Sequence, residues 1–202
     1  MSNDHLKITL VGGPTALLET SGLRLLTDPT FDPAGGEYAI GPVTLRKLSG
    51  PALGPEAIGH IDAVLLSHDQ HFDNLDRAGR AMLAQAGCIL TTPSGSQRLE
   101  PHATGLTPWE SAVLSAPGGR KLRITATPAR HGPPGIEPFS GEVIGFVLAF
   151  DDQSGDAIYF SGDTVWFEGV AEVARRFKVR TVVLTTGAAR VAARGPDPLT
   201  MT

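Results

Sequence analysis

His68, His71, Asp73 and Asn74 place two imidazoles, a carboxylate and an amide in one short stretch, SHDQHFDNLD. Imidazole nitrogen and carboxylate oxygen are the donors that hold zinc and related divalent cations. Three further groups of this kind stand at the ends of apolar runs: Asp28 in TDP, His131 in ARHG and Asp163 in SGDT. A carboxylate such as Asp163 can bridge two ions roughly 3.5–4 Å apart, an arrangement used to hydrolyse esters, lactones, amides and phosphodiesters. The donor set therefore spells metal-assisted hydrolysis, in which the cation brings the pKa of bound water toward neutrality. Mixed imidazole and carboxylate donors suit Zn²⁺, one ion or two, with Mn²⁺ or Fe as substitutes. Serine chemistry is disfavoured, because Ser67, Ser140 and Ser161 lie in no GxSxG elbow. Gly12-Gly13 lacks the spacing and the Lys-Ser/Thr of a phosphate loop.

The elements that must position these groups are legible from periodicity. Residues 63–66 form an apolar run short enough for a buried strand, and the run turns polar at Ser67. From Asn74 or Leu75 the spacing becomes helical, with Leu75, Ala78, Met82 and Leu83 on one side. Strand, polar loop, helix is the local reading, and such a loop can gather side chains around one point. Before it, residues 6–11, 16–19 and 23–27 read as strands, the last two joined by a Ser21-Gly22 hairpin turn. The Gly/Pro-rich segment 30–59 has little periodicity and is expected to be a long loop, either a substrate-side flap or a plain surface excursion. After the central motif, strands are expected at 88–91, 112–116, 121–128, 143–150, 157–160 and 179–184. Helices are expected at 94–99 and 167–177. Trp109, Trp166 and Phe139 are expected to pack in the core or under the flap.

Composition narrows the class. A chain of 202 residues with 41% hydrophobic content can bury a real core as one domain or two intimate halves of one. With 17 basic against 21 acidic side chains, the charge offers no footprint for nucleic acid or an anionic membrane. The lone Cys88 excludes an internal disulfide framework, reads as a small buried hydrophobe and fits a reducing compartment. The opening MSNDHLKITLVGG lacks a basic n-region, and no stretch reaches membrane-spanning length, so a cytoplasmic protein is expected. Its expected partner is a small-molecule substrate, and a homo-oligomer is compatible with the composition.

Taken in order, these segments resemble the metallo-β-lactamase superfamily, and within it the UlaG-like, L-ascorbate-6-phosphate-lactonase-type hydrolases. ITLVGGPTALLETSGLRLLTDPTF resembles that branch's opening hairpins and TDP segment, SHDQHFDNLD its SHxHxDHLD motif, TPARHG its middle histidine and YFSGDT its bridging aspartate. The resemblance implies an α/β (α+β) fold, a four-layer αββα sandwich forming a single metallo-β-lactamase-like domain over residues 1–202. It also implies metal ligands at His68, His71, Asp73, Asn74, His131 and Asp163, with Asp73 and His71 as catalytic groups. The chain departs from the family's pattern by one extra residue in the motif, so that Asn74 falls where a ligand histidine is usual. An amide oxygen is a weaker zinc donor than imidazole. Gln70 could coordinate or orient a water. Members of the branch usually run on through a further helix, a strand and a late histidine, which implies that the second half is incomplete and the C-terminal part missing.

Two functions of different class follow. One is a metal-dependent hydrolase using a metal-activated hydroxide on an ester, lactone or phosphodiester-type substrate. The alternative is a degenerate, catalytically weak or inactive family member acting as a binding or structural protein.

Overall fold

The computed structural model describes residues 6–40, 43–99, 101–152, 156–192 and 195–202. The chain divides into two compact units, Met1–Thr91 with Gly95–Thr104 and Thr92–Ser94 with Gly105–Thr202.

The first unit is built on a mixed sheet. Strands β1 (Lys7–Gly12), β2 (Thr15–Thr20) and β3 (Leu23–Thr27) form an antiparallel meander. Ser21 and Gly22 both take positive φ, the twist that a two-residue hairpin turn requires. The β4 (Glu37–Ile40) and β5 (Val43–Arg46) strands pair with each other as a separate ribbon, followed by helix α1 (Pro55–Ile58). Segment 30–59 is therefore not the featureless loop expected. Its glycines and prolines conceal a hairpin too short to register as a periodicity.

Strand β6 (Ala63–Leu65) runs parallel to β3, and β7 (Ile89–Thr91) parallel to β6. Burial on both faces, with Leu25, Leu26, Val64 and Leu65 all almost inaccessible, explains why β6 reads as a continuous apolar run. Between β6 and β7 lie helix α2 (Arg77–Met82) and a 3-10 turn at Leu83–Gln85. Leu75, Met82 and Leu83 join Leu17, Leu26, Val64 and Ile89 in one cluster, so the helical spacing of the sequence does become the buried face. The helix starts later than the periodicity suggests because Asp76 caps it, its carboxylate accepting from Gly79 N. Helix α3 (Pro93–Arg98) and strand β8 (Ala103–Gly105) follow, β8 closing the six-stranded order β1-β2-β3-β6-β7-β8.

The second unit carries the five-stranded order β13-β12-β11-β10-β9. Its strands are β9 (Ser111–Ser115), β10 (Lys121–Pro128), β11 (Ile144–Phe150), β12 (Ala157–Phe160) and β13 (Val179–Val183). All pairs are antiparallel except β12 with β13. That parallel pair is bridged by α5 (Glu168–Arg176), whose Val170 and Val173 pack on Val147, Ala157 and Tyr159. A short helix α4 (Glu137–Ser140) precedes β11. Gly145 is needed where β11 passes the end of β12, because a Cβ there would lie 2.6 Å from Phe160 O and 2.8 Å from Ser161 O.

The mixed α/β class is the one expected. Three local expectations need correction. Trp109 packs against the α5 cluster as expected, but Trp166, in the loop after β12, and Phe139, on the one-turn helix α4, are 68% and 59% exposed. Cys88 is half-buried rather than buried, with Sγ 3.6 Å from Asp62 O. Burial and the neighbouring Asp62 push its thiol pKa up.

Asp76 is the knot of the first unit. Its side chain is fully buried and takes four donors: Phe31 N (2.9 Å) and Gly79 N (2.8 Å) on Oδ1, Asp32 N (2.7 Å) and Lys47 Nζ (2.8 Å) on Oδ2. Asp32 alongside accepts from the Tyr38 hydroxyl (2.7 Å) and Ala78 N (2.9 Å). Burial alone would raise the Asp32 carboxyl, but the Tyr38 hydroxyl and the backbone donors outweigh it and hold the pKa below its ordinary value.

Two measurements check this packing. Gly79→Ala would drive a Cβ into the carbonyl of Pro29, so the variant should lose about 1–3 kcal/mol in urea denaturation. Because the folded Asp32 value is depressed, its contribution is complete above the unfolded value near about 3.9 and is lost as pH falls through the folded one. The stability advantage of the native chain over Asp32→Asn, measured by urea melts, should be constant near neutrality and shrink below about pH 4.

Candidate metal centre

The loop after β6 is held from below by the end of β3. Asp28 leaves β3 with φ 29, a left-handed conformation that aspartate tolerates better than most residues. Its carboxylate, buried with the rest of the residue, accepts Ser67 N at 2.7 Å on Oδ1 and Ser67 Oγ–H at 3.0 Å on Oδ2. Ser67 Oγ in turn lies 2.9 Å from His68 Nδ1. The serine proton is given to the carboxylate, so the oxygen accepts from the imidazole and His68 carries its proton on Nδ1. Nε2 of His68 is thereby the lone-pair nitrogen, and it faces His71 Nδ1 at 3.0 Å with the rings edge to face.

Two nitrogens bound to one tetrahedral zinc at about 2.0–2.1 Å stand about 3.3 Å apart. The His68–His71 separation is already close to that value, and an imidazole fixed through its other nitrogen is the usual arrangement of a metal-ligating histidine. The donors of this loop fit a divalent cation.

Asp69, whose side chain is 2% exposed, is gripped by Arg98 at 2.6 Å to Oδ1 and 2.9 Å to Oδ2. Arg80 adds a bond to the Asp69 carbonyl at 3.2 Å. This pins the backbone between the two histidines. Gln70 Oε1 is buried with no hydrogen-bond partner among the described residues. Phe72 stacks on Tyr38 at 4.9 Å, with the Arg77 guanidinium over both rings. Asp73 is exposed. Asn74 is buried and its Nδ2 points to Asp28 Oδ2 (3.4 Å) and Ser67 Oγ (3.5 Å), so its amide nitrogen supports the Asp28 cradle.

In the second unit, the ends of β10 and β12 are laced together. Arg130 N donates to Thr164 Oγ1 at 2.9 Å and Val165 N to Arg130 O at 2.8 Å. Met201 N donates to Thr164 O, and the segment that contains it presents Leu199 O to His131 Nδ1 at 2.8 Å. A carbonyl can only accept, so His131 also carries its proton on Nδ1 and directs the Nε2 lone pair elsewhere. That nitrogen is 3.6 Å from Asp163 Oδ2, with both side chains about 5% exposed. Imidazole nitrogen and carboxylate oxygen are both donors of the kind that ligate a divalent cation. Arg130 stacks over Phe167 at 4.8 Å.

Each unit thus brings part of the expected set together: His68 with His71 in the first, His131 with Asp163 in the second. Asp28 acts through Ser67 and Asn74, as a positioning group. Sequence reasoning missed Ser67 as the link to His68, having weighed it only as a nucleophile, although its place between strand and histidine was a usable signal. It missed the Arg98–Asp69 pair and the Leu199 carbonyl as well; a main-chain acceptor leaves no mark in side-chain identity.

The chain belongs to the beta-lactamase superfamily, whose domain model matches residues 23–201. A metal-dependent hydrolase of Myxococcus xanthus is 29% identical over 165 residues, 77% of this chain and 55% of that protein. A Mycobacterium tuberculosis protein is 40% identical over 73 residues, 36% of this chain and 18% of its own length. The chain therefore spans about half or less of these relatives. An isothiocyanate hydrolase from Delia radicum gut bacteria overlays with a TM-score of 0.77 at 24% identity, covering 96% of this chain and 76% of that one. The metallo-β-lactamase-like fold is accordingly that of the chain. Among the described residues no helix is long and apolar enough to cross a membrane.

The tautomer assignment is testable without metal. In nitrogen-15 NMR of the metal-free protein at pH 8, His68 should show a protonated Nδ1, and Ser67→Ala should convert it to a mixture of tautomers with the fold retained.

Proposed function

We propose that the chain is a metal-dependent hydrolase, in which His68, His71 and His131 hold one ion and Asp73, Asn74 and Asp163 lie on or between that ion and a second. The observation that carries the reading is the Asp28–Ser67–His68 chain of hydrogen bonds ending at a His68–His71 separation of 3.0 Å. Membership of the superfamily and the M. xanthus metal-dependent hydrolase support it. When bound, the ion supplies Lewis acidity and brings water within reach of deprotonation near neutral pH.

The protein's own part is orientation and proton handling. Ser67 Oγ and Leu199 O hold the Nδ1 protons of His68 and His131, so that in the neutral rings Nε2 is the nitrogen with the lone pair. Asp73, exposed beside the loop, orients the attacking water and takes its proton. The substrate is a small ester, lactone or phosphodiester of the kind handled by UlaG-like enzymes, and zinc is the first-choice ion, with Mn²⁺ or Fe as alternatives. We place the protein in the cytoplasm.

A second reading, a family member that keeps the fold and binds metal weakly or not at all, draws on Asn74, whose amide is turned to Asp28 and Ser67 in the usual place of an imidazole.

Elemental analysis of protein purified without chelator separates the two. At least one ion per chain, with lactone or bis-nitrophenyl phosphate turnover stimulated by Zn²⁺ or Mn²⁺, is expected. His68→Ala and Asp163→Ala should each lower turnover at least 100-fold, with His68→Ala also lowering metal affinity by about 10–100-fold or more. A stoichiometry well below one with no stimulated turnover selects the second reading.

A further inference from the structure

Beside Phe72 and Asp73, along the β4–β5 hairpin, lies a cavity of about 330 Å³, at the small end of the range for small-molecule pockets. Tyr38, Leu45 and Phe72 supply its apolar wall, with Pro14 and Pro51 beside them. The hairpin register sets Tyr38 opposite Leu45 and Glu37 opposite Arg46. Opposed residues share a face and successive ones alternate, so Tyr38 and Leu45 lie on one face while Glu37 and Arg46 lie on the other. Exposure follows the same alternation: Leu45 and Lys47 are half-buried, Arg46 is exposed and Leu48 is 85% exposed. Arg46 is among the lining residues but belongs to the hairpin face opposite Tyr38 and Leu45.

The charged residues of the wall are Arg46, Lys47 and Asp73. Lys47 Nζ is 2.8 Å from the fully buried Asp76 carboxylate and is neutralised by it. The Tyr38 hydroxyl is committed to Asp32. Asp73 makes no ion pair among the described residues. An anion entering this space would shed hydration and meet the Asp73 carboxylate, while the lysine of the wall is already engaged by Asp76 and the Arg77 guanidinium by the Tyr38 and Phe72 rings. Tyr38, Phe72 and Arg77 form a stack whose rings are fixed before any ligand arrives, which suits a preformed apolar surface.

We propose that this cavity receives the non-reacting part of the substrate and selects a small, uncharged, largely apolar group, with Tyr38, Leu45 and Phe72 as specificity-determining residues. Only the identity of the reacting end rests on the hydrolase reading.

The test is a titration of the full chain, with and without Zn²⁺, using 4-phenylbutan-1-ol and its carboxylate counterpart 4-phenylbutyrate, followed by NMR. The alcohol should bind saturably and at least tenfold more tightly than the carboxylate. Leu45→Trp, which fills the cavity, should abolish binding of the alcohol at unchanged metal content, and the milder Leu45→Gln should weaken it about tenfold. Equal or tighter binding of the carboxylate, absence of binding by the alcohol, or indifference to both substitutions overturns the proposal. A chain that binds the alcohol yet hydrolyses nothing loses the hydrolase reading and keeps the pocket. One that turns over neutral and anionic phenyl esters with equal kcat/KM keeps the hydrolase reading and loses the pocket.

Discussion

The buried carboxylate of Asp28 is the constraint from which the geometry of the histidine loop descends. A carboxylate in a buried site must collect donors, and those of Asp28 include Ser67 N, Ser67 Oγ and the Asn74 amide. Because the serine proton is consumed by Asp28, the serine oxygen can only accept from His68, and the tautomer of His68 is decided by a carboxylate two hydrogen bonds away. Asp28 can reach Ser67 because β3 and β6 are parallel neighbours whose ends come level, with Asp28 N donating to Leu65 O. The side-chain chemistry of the loop is thus a consequence of strand pairing.

A second buried carboxylate, Asp76, performs the same kind of service for the far side of the loop. It begins α2, fastens the backbone of Phe31 and Asp32, and takes the ammonium of Lys47. Removing one partner of such a pair typically costs about 3–5 kcal/mol because the other is left buried and uncompensated. The β4–β5 hairpin is consequently tied down at Lys47 and at Tyr38, and the rings of Tyr38 and Phe72 meet as a fixed surface. The same ties that hold the hairpin also cancel the positive charge of Lys47 in the wall of the adjoining cavity, beside the apolar side chains of Tyr38, Leu45 and Phe72.

Regular strands are the most legible part of the chain, because β6, β11 and β12 are largely buried and apolar along their runs and β10 alternates at its start. What escaped were short elements with no room for periodicity: the β4–β5 hairpin, α4 and β8. The start of α2 escaped for a different reason. Leu75 fits the helical spacing and packs with the α2 face, yet the cap at Asp76 begins the helix one residue beyond it. Trp166 and Phe139 suggest packing by their size, but a large ring in a loop or on a one-turn helix can stay in solvent.

Residue types and their order were enough to choose the mixed α/β class, the superfamily and the donors worth attention, since imidazoles and carboxylates placed directly after apolar runs are informative in one dimension. Which donors work directly and which work through others was decided by folding. Asp28 looked like a ligand and is a buried acceptor for Ser67; Ser67 looked like a failed nucleophile and sets the proton on His68; Leu199 offers only a carbonyl and orients His131. Tautomer, burial and hydrogen-bond direction are properties of neighbours in space, and the sequence states only neighbours along the chain.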